Sequence, residues 1–518
     1  MKGTEAEPLK NFCVSKINFT GTKRVLFEKY EPLLRSDWMI HREGAITMDG
    51  TQDCKISDCD FFQLGANAIM VTGFNKNISI TGNHIRQVGS SAICFVGDIS
   101  AVRSPAFNYD QSLPYENIDQ TAGPKNNLYP SDCLVYDNLI HDIGRIEKQA
   151  TGVEISMSQN ITVKNNTIYN TPRAGINIGD GCWGGHDIEY NDVFNTVQET
   201  GDHGSFNSWG RDRYWNPDRN YMDSMAALHP EAILLDAVKT TQMHHNRFRC
   251  DHGWDIDLDD GSSNYHIYDN ICLNGGLKLR EGFYRVVENN IIINNSFHPH
   301  VWFKNSGDLF RKNMVTRNYY PIEIVQWGKE VDYNLFPDSL SLAKAQQNHT
   351  DMHSLFGDPM FGDAAKGNYM VASTSPALKL GFENFDETQF GVVSPKLKAI
   401  AEKIPIPALV MPATAGNKND APIEWLDATI RNVSGLGDRS AFGLDNEQGV
   451  IVVAVQSPSK INSGLQPKDV ILEAEGKPVK NIFDLISEFQ SVNWKGHMQV
   501  SVKRNQQVES MILNLKSH

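Results

Sequence analysis

The chain has 518 residues, and its 48 Lys and Arg against 62 Asp and Glu leave a net charge of -14. That length calls for more than one hydrophobic core. The acidic balance opposes a nucleic-acid backbone and supplies no general attraction to anionic membranes, and no apolar run nears the roughly 20 residues of a transmembrane helix.

The first residues, Met1 to Pro8, lack the apolar centre of a signal peptide, which fits a cytoplasmic protein or one trimmed to its mature part. The eight cysteines are scattered, with only Cys54 and Cys59 close together, so neither a disulfide framework nor a zinc site of CxxC type is expected.

From Val14-Ser15-Lys16-Ile17-Asn18-Phe19 onward, short β-branched runs recur, each followed by Asn, a variable residue and an apolar one. The frame holds at Asn83, Asn138, Asn166, Asn191, Asn246, Asn270, Asn290, Asn313 and Asn334, with Cys59 in the equivalent place at the front. Most gaps are 20 to 28 residues, and two of 55 residues each hold one coil plus a long insertion. That period is too short for a propeller blade and its runs alternate as strands do. One turn of a solenoid per period remains, and the expected fold is an all-β right-handed parallel β-helix of roughly ten coils over residues 10–336. Asn suits such a turn because it tolerates the left-handed backbone region and its side chain can bond the main chain of coils above and below.

Residues 337–420 lose the period and are expected to pack along or cap the helix, whose end strands and apolar interior need cover. Residues 421–518 change character again. Gly464-Leu465-Gln466-Pro467-Lys468-Asp469-Val470-Ile471 before Gly476-Lys477-Pro478-Val479 resembles a small α+β PDZ domain of the bacterial protease-associated type. The resemblance implies peptide capture or self-association, with Phe442, Gly443 and Leu444 as the expected carboxylate-binding loop.

Function must be sought in side chains that leave the coils. Asp255-Ile256-Asp257-Leu258-Asp259-Asp260-Gly261 alternates, burying Ile256 and Leu258 and turning Asp255, Asp257 and Asp259 outward. Mid-strand Asp is rare, and several on one face repel unless a substrate, a cation or nearby bases compensate. Aligning Ala232-Ile233-Leu234-Leu235-Asp236 with it sets Asp236 beside Asp259. Aligning Leu277-Lys278-Leu279-Arg280-Glu281 sets Lys278 beside Asp257 and Arg280 beside Asp259. Gly201-Asp202-His203-Gly204, matched to Gly175-Ile176-Asn177-Ile178, brings Asp202 to the same face. The insertion that follows offers Trp209, Arg211 and Arg213 for stacking and for gripping hydroxyls or anions. His203, His252, Glu281, His300 and Trp302 complete the expected substrate contacts, while His245 reads as structural.

The runs Gly201 to Arg211 and Asp257 to Tyr265 resemble β-helical glycoside hydrolases of family 141, a group that includes α-L-fucosidases and xylanases. The resemblance implies hydrolysis of a carbohydrate by a carboxylate pair drawn from Asp202, Asp257, Asp259 and Asp260, without a cofactor, in a periplasmic or extracellular bacterial protein. Two other readings stand beside it. One is a polysaccharide lyase with a Ca²⁺-binding Asp cluster and Lys278 or Arg280 as base. The other is a non-catalytic glycan-binding β-helix.

Overall fold

A computed structural model describes residues 1–25, 31–32, 39–104, 106, 108–180, 182–210, 212–410, 422–456 and 463–515. The chain divides into two compact units, Met1–Pro412 and Ala413–His518.

The first unit is a parallel β-helix. Each coil lays its strands in register on the next, so that one sheet runs through twelve strands, two more rungs than the sequence period suggested. Cys13–Ser15 already pairs with Lys55–Ser57, making residues 9–20 the first coil. The interior is a single apolar column of Ile, Val, Leu and Phe from Ile46 to Phe336.

The asparagine ladder is continuous. Nδ2 of Asn83, Asn138, Asn166, Asn191, Asn246, Asn270 and Asn290 each donates to Oδ1 of the next ladder residue at 2.9–3.0 Å. Each acceptor also takes a backbone N–H of the preceding coil, as Asn246 Oδ1 does from Asn191 N at 3.0 Å. The left-handed position is the residue before the ladder Asn, at Gly82, Asp137, Asn165, Tyr190 and His245, and not the Asn itself. The buried amide therefore serves as a hydrogen-bonding post, and its predecessor makes the corner. The ladder runs one step beyond the expected end, from Asn334 Nδ2 to Asp351 Oδ1 at 3.0 Å, because Leu355–Phe356 adds a last strand.

The cap follows from the same chain. Helix Ser339–Gln346, N-capped by Asp338, turns Leu342 and Ala345 onto the end of the interior column. Residues 369–404 then run back along the outside, where Tyr369, Leu380, Phe382, Val392 and Leu397 cover Tyr169, Phe194, Ile271 and Ile291. Two insertions, residues 97–129 and 209–240, build a separate core with Trp215, Met222, Ile233 and Phe303.

The second unit is an antiparallel sheet with helices Gly435–Phe442 and Ile482–Val492 on a core of Val450, Ile471, Leu485 and Val500. The expected carboxylate loop is not a loop. Phe442 ends the first helix and Gly443, at φ +63°, is its left-handed cap; Gly443 N and Leu444 N donate to Ser440 O and Arg439 O. Those amides are spent on the helix's own carbonyls, at the negative end of its dipole, which repels a carboxylate.

Candidate functional site

The site is a row of polar side chains on one outer face of the helix, generated by strict alternation along successive strands. Glu154, Asn177, Asn207, Asp257, Lys278 and His298 are cross-strand partners in one column. The second column, two residues further along each strand, carries Asp259, Arg280 and His300. Ile256, Leu258, Leu277 and Leu279 point the other way, into the core.

Three carboxylates converge on one ammonium. Lys278 Nζ lies 2.8 Å from Asp257 Oδ1 and 3.6 Å from both Asp202 Oδ1 and Asp259 Oδ1. Below it is the Trp254 ring, its centroid 4.0 Å away. Lys278 and Asp257 are fully buried, whereas Asp259 keeps 21% and Asp202 37% of its side-chain surface. The two rim carboxylates can therefore meet a ligand directly.

Electrostatics divide the roles. Burial pushes the Asp257 carboxyl well above the usual range, Lys278 pulls it back, and the charges of Asp259 and Asp202 raise it again. Burial opposes the Lys278 charge, but Asp257, Asp259 and Asp202 outweigh it and hold the ammonium form. Arg280 is fixed likewise: burial opposes its charge, and Asp260, Asp259 and Glu281 more than restore it. Its nitrogens lie 3.1 Å from Asp260, 3.4 Å from Asp259 and 3.8 Å from Glu281. His203 and His300 are held neutral by burial first and then by Lys278 and its neighbouring cations, and burial brings His298 down to about 3.

Several expected placements need correction. Ala232–Asp236 is not the strand beside Asp257; that place belongs to Gly204–Ser208, with Asn207 opposite Asp257. Residues 230–232 form a short 3-10 helix within the insertion. Asp236 pairs instead with Arg213 (Nε to Oδ2 3.0 Å), whose guanidinium also reaches Asp119 O at 2.6 Å and Thr121 O at 2.7 Å. That buried clasp ties the two insertions together and is no substrate grip. Trp302 is core: Val301 at φ +52° breaks the alternation and turns the indole inward, where Nε1 donates to Leu279 O at 2.9 Å. Asp255 shares the phase of Asp257 but is consumed by the backbone amides of Cys250, Asn274, Gly275 and Gly276. His252 is exposed outside the row, and Arg211 lies outside the described residues.

Other expected residues do assemble. Asp202 reaches the face, but not in the expected register: Ile176–Ile178 pairs with Phe206–Ser208 and not with Asp202–Gly204, and Asp202, in the left-handed region at φ +58°, is swung back over Lys278 by the turn before Gly204. His203 follows it and shares a hydrogen bond with Thr200. Glu281 is buried and takes Arg219 Nε at 2.6 Å, and Arg219 also meets Glu323 at 3.3 Å. Trp209 closes the row at its other end, with the Arg173 guanidinium 4.9 Å from its ring centre.

Sequence reasoning missed Glu154, Asn177, Asn207, Arg173, Trp254 and Arg219. The first three carried a usable signal, since Val153-Glu154-Ile155 and Ile176-Asn177-Ile178 repeat the polar-between-apolar pattern of Ile256-Asp257-Leu258. As for a cation, the Asp202, Asp257 and Asp259 oxygens already enclose the Lys278 ammonium, so this cluster does not fit Ca²⁺. Among the described residues no three His, Cys, Asp or Glu side chains gather as a metal's ligands would, and no helix is long and apolar enough to cross a membrane.

Among curated proteins none matches this sequence. A solved structure described as a glycoside hydrolase matches with a TM-score of 0.34 and 12% identity over 66% of this chain, which spans about half, 51%, of that chain. The family model of the right-handed β-helix region matches residues 36–213, and the coils of the first unit form a right-handed parallel β-helix.

Proposed function

We propose that the first unit is a glycoside hydrolase acting on a poly- or oligosaccharide through carboxylates of the Lys278 cluster. The observation that carries the reading is the convergence of Asp202, Asp257 and Asp259 on one buried ammonium. Three carboxyl groups around one cation leave excess negative charge, and the burial that raises Asp257 makes it the group that holds a proton. Asp257, which does not reach the surface, passes that proton to Asp202 on the rim, and Asp202 delivers it to the glycosidic oxygen as the bond to the anomeric carbon breaks. Asp259, between Lys278 and Arg280, serves as the carboxylate that attacks that carbon or takes a proton from the attacking water. Asp260, held by Arg280, positions that arginine.

The lyase alternative asks Lys278 to remove a proton. Its three carboxylates keep it an ammonium, with no lone pair for that task. The second unit reads as a PDZ-like module for a peptide or a second copy of the chain. Support comes from strand Gln507–Asn514, which pairs on one side only among the described residues and so offers a sheet edge.

The test is a screen of plant and algal oligosaccharides carrying α- and β-linked fucose, xylose and galactose. The hydrolase reading expects new reducing ends without an unsaturated product. Release of a product with the ultraviolet absorbance of an unsaturated uronate, or turnover abolished by chelation, contradicts it.

A further inference from the structure

The polar floor does not stop at the carboxylates. It continues one coil to Asn207 and a second to Asn177, each a cross-strand neighbour of the last, at about 4.8 Å per step. It ends at Glu154, because the next positions in the column, Cys94 and Met70, are apolar and covered. The chemistry proposed above uses none of this stretch.

Asn is disfavoured mid-strand, and here two lie side by side in strands buried on both faces. Each is at most 1% exposed, and Oδ1 of each has no hydrogen-bond partner among the described residues; Ser156 Oγ, beside them in the second column, is in the same position. Asn177 is not free to rotate to cure this, since its Nδ2 donates to Glu154 Oε2 at 3.0 Å. Buried acceptors without donors are rare in folded chains and mark places where a ligand or an ordered water brings the donor. Two in one column, in line with a carboxylate cluster and with a third beside them, point to a ligand that lies along the column.

The roof suits a sugar. Gly179, across from Ser156, leaves the space in which Trp209 lies: a Cβ there would stand 3.1 Å from Trp209 Cζ2 and 3.0 Å from Glu154 Oε1. The indole thus borders the two amides. The Glu154 carboxyl has Arg173 as its counter-charge, and the acceptors on Asn177, Asn207 and Ser156 are neutral. Their complement is a neutral sugar whose hydroxyls donate to Asn207 and Asn177 while its carbon face meets Trp209.

We infer that the site binds at least two sugar units along the helix axis, one at the Lys278 cluster and a neutral one on Asn207 and Asn177. This rests on the hydrolase reading and adds a specificity subsite to it. The test compares kcat/KM on para-nitrophenyl α-L-fucoside, β-D-xyloside and β-D-galactoside with kcat/KM on di- and trisaccharides of the same sugars. Wild-type protein is expected to prefer the oligosaccharides. Asn207→Leu and Asn177→Ala are each expected to lower the oligosaccharide-to-monosaccharide ratio at least tenfold, mainly through KM. Asn207→Leu is also expected to raise Tm, because it removes a buried acceptor that the unliganded protein leaves unmet. Equal losses on both substrate types, or a fall in Tm for Asn207→Leu, overturn the subsite and leave the hydrolase reading standing. Turnover that survives Asp257→Asn overturns that reading instead.

Discussion

Asn191→Ala tests the ladder from its middle. The side chain is fully buried; Nδ2 donates to Asn246 Oδ1 (2.9 Å), Val163 O (2.8 Å) and Glu189 O (3.0 Å), and Oδ1 accepts both N and Nδ2 of Asn166 at 3.0 Å. Truncation leaves the Asn166 backbone N–H without an acceptor, at about 1–3 kcal/mol, while Asn166 Nδ2 keeps Val135 O and Lys164 O; the bonds that Asn191 Nδ2 made are lost as well. Asn246 Oδ1 keeps its bond from the Asn191 backbone, so the break does not spread further down the ladder. A loss of about 3 kcal/mol is expected. Equilibrium urea unfolding of the whole chain, followed by tryptophan fluorescence, reads it as a lower midpoint at unchanged slope. Gln198→Ala, an exposed change in the same coil, serves as control and should stay within about 0.5 kcal/mol. A loss for Asn191→Ala no larger than the control's would refute the view that the amide ladder holds the coils in register.

Three further outcomes follow from the geometry. Lys278→Met removes the cation on which Asp257, Asp259 and Asp202 converge and should cost about 3–5 kcal/mol; a loss in urea midpoints of no more than about 0.5 kcal/mol would argue against the cluster. His186 is buried and brought down to about 3 by burial alone. Below its unfolded value the unfolded chain binds a proton that the native chain refuses, so stability present above about pH 6.5 is lost as pH falls, by about 2 kcal/mol at pH 5. In His186→Gln the decline between those values should be shallower by that amount, and an equally steep decline in urea midpoints counts against it. Arg219→Ala releases helix Arg219–Leu228 from Glu281 and Glu323, and limited proteolysis should then cut within residues 209–240 faster than in the parent; an unchanged cleavage map would show that the clamp does not hold the insertion.

The coils were legible because the ladder amide recurs in a fixed frame, and the pairing of Lys278 with Asp257 because alternation is strict where Leu277, Leu279, Ile256 and Leu258 fill the interior. What failed lay where the period is interrupted. Residues 232–236 mimic a coil strand in composition, but the 209–240 insertion carries them away, and the strand beside Asp257 comes from before it, at Gly204–Ser208. Trp302 was misplaced for a similar reason: a left-handed Val301 reverses which face its neighbour occupies, and nothing in the composition of Val301-Trp302 announces that. Arg213 and Asp236 show the limit for charged residues. A buried ion pair within one insertion reads, in one dimension, like two groups waiting for a ligand. At Phe442–Leu444, the residues that looked like an anion loop form a helix C-terminus, which the left-handed Gly443 reveals only once its φ is known.

The carboxyl groups around Lys278 are proposed to carry out glycoside hydrolysis. The most direct test is turnover by Asp257→Asn and Asp259→Asn, made separately, on the oligosaccharide that the wild-type protein cleaves, with circular dichroism and Tm confirming that each variant is folded. Each is expected to lower kcat by at least about a thousandfold, as loss of an essential acid or of its partner carboxylate requires. Folded variants that both retain wild-type turnover would contradict the proposal.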